Sequence, residues 1–288
     1  DHEIKYVLFC TGTKAIRKNK VEGLKKHRIE NLYIRKHDHK VYLKYLEPCL
    51  KMIIHNEVLS KKEKALVVYN VAKNIMEDVF NDPRSGTYVE RVKNWVSNTI
   101  DMIIREKGAS IMINILSFDY YTYTHSVNVA VLGLLFSRYL NLKCEELNAL
   151  GIGLLLHDIG KTQIASQIIN KKGKLTDAEF REVKMHVEFG MKILLQVGGI
   201  EDVALFPVIY HHEKMNGRGY PKGLKGNAIH KYGKIAAIMD VYDALTTKRP
   251  YGDARNPFEA LKIIRDEMRG SFDEKLFTDF ILFLNQAK

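Results

Sequence analysis

The sequence predicts a mostly α-helical protein: an all-α helical bundle over residues 119–288, preceded by a small α/β domain over 1–56 and a helical linker over 57–118. Three observations carry this. From Tyr120 onwards, apolar residues recur at helical spacing through successive segments separated by short polar breaks. Helix-start signatures stand where such segments begin, Ser60 with Glu63 and Thr176 with Glu179. Short β-branched and aromatic runs, by contrast, are confined to the N-terminal part.

In order, Ile4 to Cys10 (IKYVLFC) is fit for a strand, a basic segment around residues 14–28 for a helix, and Asn31 to Arg35 for a second strand. His37-Asp38-His39 looks like a turn with solvent-facing histidines, and Val41 onwards looks helical. After the cap at Ser60, Ala65, Val68, Ala72 and Ile75 fall on one helical face. Asn81-Asp82-Pro83-Arg84-Ser85-Gly86 is a break. An amphipathic helix follows from about Tyr88 to Ile104, with Trp95 as a core or interdomain anchor.

Composition narrows the functional classes. With 46% hydrophobic and 27% charged residues, the chain is globular rather than disordered. No apolar run is long enough to cross a bilayer, and no signal peptide is visible, so a cytoplasmic protein without a membrane span is expected. Cys10, Cys49 and Cys144 are widely spaced and read as free thiols. The net charge of +11 favours an anionic partner. The basic residues are scattered without interleaved aromatics, so a nucleic-acid surface is not expected.

Chemistry concentrates in the bundle. His125 opens an apolar helix, His157-Asp158 closes the next, and His186 lies in a third. His211-His212 ends a fourth, and Asp240 lies in a fifth. Five of the eleven histidines thus recur one helix and one loop apart, spacing that lets a bundle bring them to one centre. Asp158 is the natural bridge between two metal ions, since one carboxylate offers an oxygen to each. His125, His157 and Asp240 would complete one site, and His186, His211 and His212 the other. Such a pair of ions suits phosphoester hydrolysis by a metal-activated hydroxide, with no Ser or Cys nucleophile needed.

Two motifs carry a resemblance: His157-Asp158-Ile159-Gly160-Lys161, and the run from His211 to Pro221 (HHEKMNGRGYP), which matches HHExxxGxGYP. Asp240-Val241-Tyr242-Asp243-Ala244-Leu245 and Arg249-Pro250-Tyr251 extend it in order. Over roughly residues 115–288 the chain resembles the HD-GYP family, a branch of the HD phosphohydrolase superfamily. The resemblance implies an HD-type bundle that hydrolyses cyclic di-GMP to pGpG and GMP. It also implies a centre of two, sometimes three, non-haem iron ions, with manganese as the alternative. GGDEF-domain proteins are among the family's partners, and a homodimer is compatible with it.

Site roles follow. Lys161, beside Asp158 in the catalytic pair, can contact a phosphate oxygen or the hydroxide. Tyr220 and Arg249 can contact a base or phosphate, with Gly219 and Pro221 shaping the loop. Glu213 and Asp243 would support ligand histidines from behind. Two positions depart from the family pattern. Gly252 stands where many members have Lys, which removes one substrate contact. Tyr121 stands where three-metal members have Glu, which favours two metals. The competing readings are a metal-loaded cyclic di-GMP receptor that docks a partner without turnover, and an HD phosphohydrolase of another nucleotide.

Overall fold

A computed structural model describes residues 22–24, 26, 27, 29, 32–106, 109–116, 122–248 and 254–286. These fall into two compact units, Asp1–Tyr42 and Leu43–Lys288. The expected divisions at 56 and 118 do not coincide with this one: the helices assigned to a linker belong to the same unit as the bundle.

The described residues contain helices and turns but no strand; an isolated antiparallel bridge joins Asn216 and Lys225. The strand expected at Asn31–Arg35 is therefore corrected over residues 32–35. Leu32, Tyr33 and Ile34 are exposed and carry no strand conformation, and a lone segment without a ladder is not stabilised as a strand. Ile4 to Cys10 lies outside the described residues. Residues 22–24 and 26 of the basic segment are helical. The turn expected at residues 37–39 is a single 3₁₀ turn, Lys36–Asp38, and His39 already opens helix α1 (His39–Leu46).

The larger unit continues with α2 (Leu50–Ile54), α3 (Lys61–Asn81), α4 (Val89–Glu106) and α5 (Ala109–Asn114). Next come α6 (Thr122–Tyr139), α7 (Cys144–Leu156), α8 (Ser166–Ile169), α9 (Asp177–Lys184) and α10 (His186–Val197). The remaining helices are α11 (Leu205–Tyr210), α12 (Lys231–Thr246), α13 (Pro257–Asp266) and α14 (Glu274–Gln286). The expected capping boxes form: the Ser60 and Thr176 hydroxyls accept from the Glu63 and Glu179 amides, and each glutamate returns the bond. Such a cap contributes about 1 kcal/mol.

Helix α6 is the axis of the core. It packs against α3, α7 and α12, while α4 covers α7 and α11 covers α12. Leu132, Leu134, Leu154, Leu155, Ile238 and Met239 are buried where these helices meet. Trp95 is fully buried in α4, and its indole N–H donates to the Val68 carbonyl of α3 at 2.8 Å. It is thus a core anchor, as expected. No helix of the described residues is long and apolar enough to cross a membrane.

Candidate functional site

Each candidate ligand sits at a helix end or on a buried helix face. His125 lies in the first turn of α6, and Asp240 lies within α12. His157 caps the C-terminus of α7, and Asp158 starts the 3₁₀ turn Ile159–Gln163. His211 caps α11 and His212 follows it. The helix that Thr176 opens does not run on through His186: it breaks at Met185. The His186 Nδ1–H donates to the Val183 carbonyl at 2.6 Å, drawing the ring back against α9. Gly160 makes room for this arrangement, because a Cβ there would collide with the His186 carbonyl and the Gly190 amide.

The seven candidate ligands come together in one cluster, six of them buried and His212 half-buried. The Asp158 carboxylate is 1% exposed and faces two histidine groups. Its Oδ1 lies 3.5 Å from His186 Nε2 and 3.8 Å from His211 Nε2, and its Oδ2 lies 3.4 Å from His157 Nε2 and 3.7 Å from His125 Nε2. Asp240 also spans the cluster. Its Oδ1 is 3.0 Å from His125 Nε2 and 4.0 Å from His157 Nε2, whereas its Oδ2 is 3.7 Å from His212 Nδ1. The sequence reading gave Asp240 to one group alone; the structure has it touch both.

Backbone hydrogen bonds fix which nitrogen points inward. Carbonyls only accept, so His157, His186 and His211 must carry their protons on Nδ1, which donate to Leu154, Val183 and Pro207 or Val208. Their Nε2 atoms then turn lone pairs into the cluster. His186 and His211 oppose Nε2 atoms across 3.2 Å, and His157 Nε2 and Asp158 Oδ1 are buried without a hydrogen-bond partner. Opposed lone pairs and an orphaned carboxylate oxygen are unfavourable by themselves and fit a bound cation. Two ligand groups are suited to an ion, His186 with His211 and His212, and His125 with His157 and Asp158.

The electrostatics agree with a cation site. Burial pushes His186 down to about 4 and His212 down to about 3, and holds His211 well below the usual histidine range, so all three are neutral donors at pH 7. For Asp158, burial works against the charged form, yet the groups facing it, the Lys161 ammonium first, outweigh it and hold the carboxyl well below its ordinary range. Asp240 is likewise held well below its ordinary range against the cost of burial, chiefly by the hydrogen bond from His125. Burial would depress His125, but hydrogen bonds to Asp240 and Asp243 push it up to about 9, so an ion at its Nε2 would have to displace a proton.

The supporting residues divide. Asp243 stands behind His125: its Oδ2 takes the His125 Nδ1–H at 2.6 Å, and its Oδ1 accepts from Asn128 and Thr247. Asn128 Oδ1 in turn accepts from the Tyr69 hydroxyl of α3 at 2.6 Å. Asn128 is legible as the residue three along from His125 on one helix face, but nothing local announces Tyr69. Glu213 departs from the expectation of orienting a histidine. Its buried carboxylate accepts the Lys222 and Leu224 amides at 2.7 and 2.9 Å, and so ties down the loop after His212.

Lys161 lies on the cluster itself, its Nζ 2.5 Å from Asp158 Oδ2. Tyr220 does not stand apart from the histidines: its ring stacks on His212 with centroids 4.6 Å apart, and its amide donates to the His212 carbonyl. Gly219 permits that approach, since a Cβ there would meet the Glu213 Cα at 2.5 Å and the His212 carbonyl at 2.6 Å. Pro221 is exposed beside it. Arg249, Gly252 and Tyr121 lie outside the described residues.

Comparison with known proteins gives a consistent set of relatives. An HD-domain family model matches residues 110–276. A cyclic di-GMP phosphodiesterase of Pseudomonas aeruginosa is 34% identical over 80% of this chain and 54% of its own length. A 3′3′-cGAMP-specific phosphodiesterase of Vibrio cholerae is 35% identical over 57% of this chain and 36% of its own length. The chain thus spans about half or less of these curated relatives. An HDG"Y"P protein of Bdellovibrio bacteriovorus has a similar fold, with a TM-score of 0.73 at 19% identity, over 88% of this chain and 82% of that one.

Proposed function

Because this chain belongs to the HD-domain family, we propose that it is a metal-dependent phosphodiesterase hydrolysing cyclic di-GMP to pGpG and GMP at a binuclear centre. The observation that carries the reading is Asp158, whose two oxygens face two separate groups of inward-turned histidines. Asp158 with His125 and His157 would hold one ion, His186, His211 and His212 the other, and Asp240 reaches both. Imidazole with carboxylate is borderline chemistry suited to iron, with manganese as the alternative.

Two such ions supply Lewis acidity and an acidified water for in-line attack on a phosphodiester. The residues supply the rest. Asp243 holds His125 in one ring orientation, and the helix-end carbonyls do the same for His157, His186 and His211. Lys161 keeps its ammonium at Asp158 Oδ2, within reach of a non-bridging phosphate oxygen in the same space. Glu213 and Gly219 hold the loop so that Tyr220 covers His212. We further place the enzyme in the cytoplasm, on its three widely spaced cysteines, and, on the motif resemblance alone, take GGDEF-domain proteins as partners.

The test is anaerobic purification, metal analysis, and chromatography of cyclic di-GMP after incubation. Release of pGpG or GMP by protein carrying two ions per chain is expected. Tight binding without product would favour the receptor reading. The Vibrio relative makes 3′3′-cGAMP the second substrate to assay.

A further inference from the structure

Helix α9 carries an aromatic and a cation toward the same cluster. Phe180 and Lys184 are four residues apart, hence on one helix face, and Lys184 is two residues before His186. The Lys184 Nζ lies 4.6 Å from the Phe180 ring centroid and 5.3 Å from that of Tyr220. Phe180 and Tyr220 meet edge to face, with centroids 6.5 Å apart at 83°. Tyr220 stacks on His212, and His212 meets His186 edge to face at 5.1 Å. A row of rings thus leads from the buried histidines to the surface, ending on a Phe180 that is 45% exposed.

One exposed Phe is ordinary on a protein surface. This one is joined through Tyr220 to the candidate site and has an ammonium held over it. Tyr220 has one face committed to His212, so the open ring of the row is that of Phe180. A planar base gains from stacking on an exposed flat ring, whatever its sequence identity, and a phosphodiester gains from a nearby ammonium. We propose that Phe180 and Lys184 form an outer subsite, Phe180 stacking one guanine of the cyclic dinucleotide and Lys184 meeting the phosphate that is not being cleaved. This deepens the phosphodiesterase reading and rests on it.

The test titrates cyclic di-GMP into the metal-loaded chain and into the variants Phe180→Ala, Phe180→Tyr and Lys184→Met, with metal content and melting temperature measured on each. Phe180→Ala is expected to weaken binding roughly 5- to 100-fold, the span of one base–aromatic stack. Phe180→Tyr should restore most of the affinity. Lys184→Met is expected to weaken binding about tenfold and flatten its salt dependence. Metal content and melting temperature should stay at parental values. Parental affinity in Phe180→Ala or Lys184→Met, or a loss of affinity that tracks a loss of metal, overturns the subsite. A parent that neither binds nor cleaves cyclic di-GMP overturns the phosphodiesterase reading itself, an outcome no variant comparison can imitate.

Discussion

Asp158 concentrates the site's electrostatics in one side chain. Fully buried, it stays ionised because the Lys161 ammonium beside it offsets the cost of burial. Replacing it by Asn keeps the shape and removes the charge that faces both histidine groups. Asp158→Asn is expected to lose both ions; metal analysis of the folded variant checks this, and one ion retained at full occupancy would contradict the bridging role. Gly219 acts through space rather than charge. A methyl group there would meet the Glu213 Cα and the His212 carbonyl. Gly219→Ala should open the loop and weaken substrate binding at least tenfold, with metal bound by His186 and His211 retained. A binding titration beside metal analysis separates the two effects.

Elements are joined by a few buried or half-buried ion pairs. Lys64, 7% exposed at the start of α3, meets the Glu106 carboxylate at the end of α4 at 2.8 Å. That hydrogen bond, more than any other cause, lowers Glu106 below its ordinary value. A carboxyl depressed on folding contributes stability above its unfolded pKa, about 4.3, and loses it as pH falls through the lower folded value. Lys64→Met should therefore flatten the fall in melting temperature on acidification from about pH 5 to pH 3. Melting curves across that window check it; parallel curves for parent and variant would show that the pair contributes nothing.

The whole larger unit shares one core, with α3 on α6 and α4 on α7. A fragment beginning at residue 119 would uncover those faces, Val68, Val71, Trp95 and Val96 being among the buried residues it lacks. Such a fragment is expected to be insoluble or to melt without cooperativity, as sedimentation and calorimetry would reveal. Metal acts at the same scale. An ion bound only by the folded chain stabilises it by about 2.7 kcal/mol at a hundredfold excess over Kd. Chelation should then lower the melting temperature by roughly 5–10 °C, given about 2–4 °C per kcal/mol for a unit of this size. An unchanged melting temperature after metal is stripped would mean that the opposed His186 and His211 nitrogens are not strained without it.

The sequence by itself determined the helices and the identity of the clustered residues. Both depend on local spacing: apolar residues every three or four positions, Ser60 and Thr176 at helix starts, and His-Asp and His-His pairs at helix ends. What sequence could not decide is what depends on distance across the chain. Tyr69 reaches Asn128 over 59 positions, and Asp240 touches both histidine groups rather than one. Glu213 serves the loop amides of Lys222 and Leu224, and Tyr220 lies on His212, because the loop folds back over its own start. The break at Met185 and the placing of the linker helices within the core are likewise tertiary. Periodicity records which face of a helix is buried; only packing determines what that face is buried against.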